Sequence, residues 1–222
     1  MVKVKIWDLP IRIFHWLLPL LLGFSWYSAE TRAMDWHRYS GYAVLGLLIF
    51  RLCWGLWGSH SARFASFIKG PASVLAYVRG PKPLAPAIVG HNPLGGWSVA
   101  ALLLVLTVQV GSGLFAVDVD GLESGPLSRL VSFDAGRSLA DIHEVSFNIL
   151  LALVAVHLVA ILWYEFARKE RLVMAMLHGH KQLDSDSHSS LPPTPSSLPV
   201  RLLAALGLSA VMVYLISSGF RF

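Results

Sequence analysis

His143 and His157 stand fourteen residues apart inside one apolar run, Ala140 to Trp163, and His15 and His37 lie at matching depths in two earlier apolar runs. Fourteen residues advance a helix by about 1400°, within roughly 40° of whole turns, and raise it by about 21 Å. Both imidazoles of the run therefore face the same neighbour at two depths. Two neutral imidazoles can fill both axial positions of a haem iron, which leaves a centre that passes single electrons and has no open position for oxygen chemistry. Four histidines at two levels thus read as two stacked bis-histidine haems. A hydrocarbon core about 30 Å thick has room for one level near each surface. The alternative is four histidines that merely pack within a membrane, and the pairing of depths argues against it.

The elements that must position these residues are membrane helices. Hydrophobic residues make up 55% of the 222 and charged residues 14%, with a mean hydropathy of +0.60. Such a composition belongs to membrane proteins rather than to soluble enzymes. Five spans are expected, from Ile11 to Tyr27, Tyr39 to Trp57, Trp97 to Val117, Ala140 to Trp163 and Arg201 to Ser217, each near the length of a tilted membrane helix. The first follows Lys3, Lys5 and Arg12 as a signal peptide would, yet Tyr27-Ser28-Ala29 is a poor cleavage site and the span is expected to be retained. Sorted by side, Lys3, Lys5, Arg12, Arg63, Lys69, Arg79, Lys82, Arg168, Lys169, Arg171, Lys181 and Arg201 fall on one face, and Arg32, Arg38, Arg129, Arg137 and Arg221 on the other. Basic loops stay in the cytoplasm, so the N-terminus is expected inside and the C-terminus in the periplasm. The net charge of +5 then reflects topology, and no nucleic-acid partner is expected. Depth pairs His15 with His157 at an inner level and His37 with His143 at an outer one. The outer loop carries Asp118, Asp120, Glu123 and Asp134 against Arg129 and Arg137. That face suits a basic partner, although an ordinary solvated loop is the commoner case.

Cys53 is the only cysteine, which excludes thioether-linked haem, a four-cysteine iron-sulfur cluster and an intramolecular disulfide. The stretch from Ala62 to Gly96 is rich in Pro and Gly and reads as a cytoplasmic loop with a short surface helix around Pro71 to Val78. Asn92-Pro93 has the form of a helix start. Arg51, an ionisable residue two turns before the inner end of span two, either meets an inner haem propionate or snorkels to the surface. Gly41, Gly46, Gly111 and Gly113 would admit a flat macrocycle or a close helix. Trp16, Trp26, Trp36, Trp54, Trp57, Trp97 and Trp163 read first as interfacial anchors. His60, His91, His178, His180 and His188 fall in loops or the tail and read as solvated. The Ser, Asp and Pro-rich residues 182–199 form a linker, and the fifth span beyond it holds no histidine and reads as a packing or partner helix.

Several segments together resemble the bacterial di-haem cytochrome b561 family, which includes the cytochrome b subunits of nickel-iron hydrogenases. They are IWDLPIRIFHW from Ile6, HRYSGYAVLGLLIFRLCWG from His37, GSHSARFASFIKGP from Gly58, GHNPLGGWSV from Gly90 and the histidine pair of span four, and the likeness runs from about Val4 to Lys181. The resemblance implies an all-α integral membrane protein, with residues 1–181 forming a four-helix haem-binding bundle; the chain departs from the minimal four-helix pattern through its linker and through residues 200–222, expected to form an added transmembrane helix. It implies two haem b groups held by His15, His37, His143 and His157, and electron exchange between quinone and a periplasmic c-type cytochrome or hydrogenase-like subunit. The expected role is an electron-transfer cytochrome of the bacterial inner membrane, a subunit or partner of an oxidoreductase system. It also directs attention to His91 and Asn92 as neighbours of the inner haem or of quinone. A quinone site is expected around Arg51, Trp54 and Trp57. Two alternatives stand: a self-contained superoxide or ferric oxidoreductase at the outer haem, and a metal transporter whose membrane histidines bind zinc or copper. The transporter would need mixed ligands converging at one depth.

Overall fold

The starts of three of the long helices, at Leu9, Pro93 and Phe133, are marked by side chains that accept backbone N–H groups which the helix itself cannot satisfy. Asp8 accepts from Ile11 N at 2.8 Å, Asn92 from Gly95 N at 2.7 Å and Ser132 from Ala135 N at 3.3 Å. The computed structural model describes residues 2–79, 90–120, 123–183 and 196–220. A strand, β1 (Val2–Lys5), leads into α1 (Leu9–Glu30) and α2 (Met34–Trp57). A 3₁₀ turn (His60–Ala62) and two short helices, α3 (Phe64–Phe67) and α4 (Pro71–Arg79), follow. Next come α5 (Pro93–Phe115), a 3₁₀ turn (Ser128–Leu130) and α6 (Phe133–Phe166), then α7 (Leu172–His178), β2 (His180–Leu183) and α8 (Leu198–Ser217).

Five helices, α1, α2, α5, α6 and α8, are long and apolar enough to cross a membrane, and the protein is an all-α integral membrane protein. Their outward side chains are apolar and uncovered, as at Leu20 (71% exposed) and Leu203 (70%), the pattern of a surface facing lipid rather than water. At 1.5 Å per residue the 34 residues of α6 extend about 51 Å, so its ends project beyond the hydrocarbon. The main helix contacts are α1 on α2, α5 on α6, α2 on α5 and α8 on α2. Two hairpins therefore enclose the space that the histidines enter, and α8 covers α2 from outside. An apolar cluster of Phe14, Val44, Leu48, Leu103, Leu106 and Leu150 reaches from the level of His15, which Phe14 adjoins, to the midpoint of the bundle, where Leu150 lies seven residues from both His143 and His157.

Hydropathy carries span three to Val117, but α5 ends at Phe115. The outer loop folds back and uses the backbone there: Leu127 N donates to Leu114 O at 2.9 Å and Gly125 N to Ala116 O at 2.8 Å. The expected linker is also shorter at both ends. Gln182 and Leu183 belong to β2, which pairs antiparallel with β1 in the register Lys3 with Gln182 and Val2 with Leu183, and α8 begins at Leu198. The remaining linker, residues 184–195, lies outside the described residues, as do Lys82, His188 and Arg221. The ribbon is tied to the bundle at Gly179, whose φ of +79° ends α7 and whose carbonyl accepts from Ile6 N at 2.8 Å and Trp7 N at 3.1 Å.

Candidate functional site

Along α2 the residues His37, Gly41, Val44, Leu48 and Arg51 recur at spacings of four and three and so form one stripe. At its outer end the His37 Nδ1 lies 2.9 Å from the Ser25 main-chain oxygen on α1 and 3.2 Å from the Ser25 hydroxyl. A carbonyl only accepts, so Nδ1 carries the proton and Nε2 keeps a free lone pair. His143 on α6 is held the same way, its Nδ1 donating to the Gln109 main-chain oxygen of α5 at 2.8 Å. The two rings meet at a centroid separation of 6.1 Å and an interplanar angle of 85°. Two imidazoles that both ligated one metal ion at about 2 Å would need a separation close to this.

Around this pair the polar residues are themselves buried. Gln109 is 7% exposed and Ser146 4%. The Ser146 hydroxyl donates to Gln109 Oε1, while Gln109 Nε2 lies 3.1 Å from His143 Nε2. The glycines separate by role. A Cβ on Gly113 would stand 2.7 Å from His143 Cε1, so this glycine makes room for the ring, whereas one on Gly46 would meet Val213 of α8 at 3.4 Å. Gly41, a turn from His37 on the same stripe, faces open space, with nothing within 4 Å of where a Cβ would stand, as does Gly111.

At the inner end, His15 on α1 packs edge-on against Trp16 and its Nδ1 is buried without a partner among the described residues. Arg51 is 4% exposed. Its Nη1 donates to Ala62 O at 3.1 Å, and its guanidinium carbon lies 4.8 Å from the centre of the Phe64 ring. Among the described residues it joins no ion pair. A buried cation with unused donors demands an anionic or carbonyl partner, and it does not snorkel to the surface.

His91 corrects the expectation that the loop histidines are solvated. Its ring stands between Trp7, at 4.7 Å, and Phe67, at 4.6 Å, and its Nδ1 is enclosed without a partner among the described residues. Burial, helped by the Arg51 charge and by His157 and His15, pushes its pKa down to about 4. His15, His157, Arg51 and His91 therefore share one neighbourhood at the inner pole. Asn92 both caps α5 and donates from Nδ2 to the Tyr164 hydroxyl at 3.0 Å, and the Tyr77 hydroxyl lies 3.0 Å from the same oxygen. Burial and that contact push Tyr77 up to about 12, so it stays a neutral hydroxyl. Trp54 is not available to a quinone. It is 1% exposed, it stacks on Phe50, and its N–H donates to Asp8 at 2.8 Å.

The donor set, the crossed histidine pair, the open face at Gly41 and the orphaned His15 nitrogen fit haem with imidazole axial ligands. Among the described residues no three His, Cys, Asp or Glu side chains converge as a metal site. Ser25, Gln109, Ser146, Tyr77 and Tyr164 do not stand out in the sequence as site residues. For Gln109 a signal is present, an amide next to the end of the apolar run from Val99 to Val110. The family model described as prokaryotic cytochrome b561 matches residues 6–179. No curated protein and no solved structure matches the chain.

Proposed function

The chain belongs to the prokaryotic cytochrome b561 family, and from that premise we propose that it carries electrons between quinone at the cytoplasmic side and a periplasmic redox protein through two bis-histidine haems. Transmembrane electron transport by b-type haem, in a multi-pass protein of the inner membrane, follows from the family and the five spans. The number of haems, their ligands, the quinone link and the orientation are our reading. A bound haem with two imidazole ligands supplies an iron that takes up and returns single electrons.

The observation that carries this reading is the crossed pair His37 and His143, 6.1 Å apart with both Nδ1 atoms committed to carbonyls. Both rings are thereby kept in the tautomer that leaves the Nε2 lone pair toward the outer group, and His143 would exchange its 3.1 Å contact with Gln109 Nε2 for that ligation. His15 and His157 are the corresponding inner ligands. Arg51, buried beside them, would hold an inner propionate through its spare N–H donors and offset its charge. The apolar cluster between the levels keeps water out of the interval. The basic loops orient the N-terminus to the cytoplasm. The outer partner is a c-type cytochrome or a hydrogenase-like subunit, which the acidic outer loop would meet through a basic face.

A pyridine haemochrome assay with a reduced-minus-oxidised spectrum of the detergent-purified protein tests the reading. Two haem b per chain are expected, with His143→Ala and His15→Ala each removing or perturbing a different one. A folded protein with a single haem, or two substitutions that strike the same centre, would overturn the pairing.

A further inference from the structure

Seven residues advance a helix by about 700°, within roughly 20° of whole turns, so His143, Leu150, His157 and Tyr164 lie on one face of α6. Tyr164 is the next member of the ligand stripe, about 10.5 Å beyond His157 along the axis. Two side chains from other helices meet its hydroxyl. Asn92 caps α5 by accepting Gly95 N at Oδ1, 2.7 Å away, which fixes the amide so that Nδ2 is the end that faces Tyr164, at 3.0 Å. The Tyr77 hydroxyl of α4 stands 3.0 Å from the same oxygen. The cluster holds more hydrogens than these contacts use, since each phenol brings one and the amide nitrogen two. Whichever phenol donates to the other, one hydroxyl hydrogen and one amide hydrogen remain, with no acceptor among the described residues. His91, next to Asn92 in the chain, adds an enclosed Nδ1 that also lacks a partner among them.

Two phenols and an amide carry no charge at neutral pH, so their spare hydrogens call for a neutral acceptor rather than an anion. The approach to them is apolar. Helix α4 packs against α5 yet buries none of its own residues. Leu75 and Val78, either side of Tyr77, and Leu94, two places after Asn92, are all uncovered. An oily surface that leads to a few convergent donors suits a ring with carbonyl oxygens and an isoprenoid tail.

We propose that Tyr77, Tyr164 and Asn92 form the head-group site for quinone, binding a ring carbonyl through the hydrogens that their mutual contacts leave free. The proposal rests on the reading that quinone is the inner redox partner, and it puts the site at the junction of α4, α5 and α6 rather than around Arg51 and Trp54. The contacts within the cluster persist when the ring is bound, because only spare hydrogens are used. The ring then lies on the His157 face of α6, and one helix stripe leads from it to the inner haem.

Titration calorimetry of the detergent-purified, haem-loaded protein with decylubiquinone and, separately, with menadione tests the assignment. The parent is compared with Tyr77→Phe/Tyr164→Phe, which keeps both rings without their hydroxyls, and with Asn92→Asp, which keeps the cap acceptor without the amide hydrogens. Unaltered haem spectra report correct folding. The expected result is a Kd raised about tenfold in the double variant and less in Asn92→Asp, with the haem midpoint potentials unchanged. Parent-like affinity in the double variant would overturn the proposal while leaving quinone as the partner. Should that protein fail to fold, parent-like affinity in Asn92→Asp overturns it instead. A parent that binds neither compound overturns the quinone reading itself, and the site with it.

Discussion

An imidazole that must stay neutral inside a basic neighbourhood makes His91 the most pH-sensitive group at the inner pole. Its pKa is about 4 in the folded protein against an ordinary value near 6.5. The unfolded chain therefore binds a proton there that the folded chain refuses, and stability falls as pH drops from about 6.5 toward 4. Replacing His91 by Phe, which keeps the ring between Trp7 and Phe67, is expected to flatten that dependence. Thermal unfolding at pH 7 and pH 5 measures it, and an unaltered difference between the two pH values in His91→Phe would show that the acid sensitivity comes from elsewhere. Trp54 and Asp8 are likewise residues whose types mislead. The indole reads as a membrane anchor, yet its N–H and the Ser59 hydroxyl both donate to Asp8, the carboxylate that also caps α1. One acid thereby joins the start of α1 to the end of α2.

At the scale of the helix, the glycines of α2 and α5 serve different neighbours and can be separated by substitution. Gly113→Ala is expected to displace the His143 ring and to remove or perturb the outer haem. Gly46→Leu would press on Val213 and loosen α8, lowering the melting temperature by the equivalent of about 1–3 kcal/mol while both haems remain. Haem content and melting temperature of the two variants check this, and haem loss in Gly46→Leu with none in Gly113→Ala would reverse the assignment. The spans and the histidine stripes were legible because fourteen residues fix a helical face without knowledge of the fold. The role of His91 was not, since its enclosure depends on Trp7 and Phe67, which reach it from other segments. The ribbon was equally hidden. Four residues in each strand carry too little alternation to announce a strand, and the pairing spans most of the chain.

For the whole molecule, the prediction that matters is orientation. With the N-terminus in the cytoplasm, Asp120→Cys on the outer loop reacts with a membrane-impermeant thiol reagent in intact cells. Ser73→Cys on α4 reacts only after permeabilisation. Both positions are exposed, and the reverse pattern would invert the molecule and exchange the inner and outer haems. The ribbon beneath the bundle bears on how the molecule is made. Lys5 pairs with His180, 175 positions later, so one strand leaves the ribosome well before its partner exists, and synthesis proceeds from the N-terminal side. Until α6 and α7 have been made, the pairing of β1 with β2 cannot form. The ribbon is thus one of the last contacts that synthesis allows, and the strand before α1 waits for its partner while α1, α2, α5 and α6 are made.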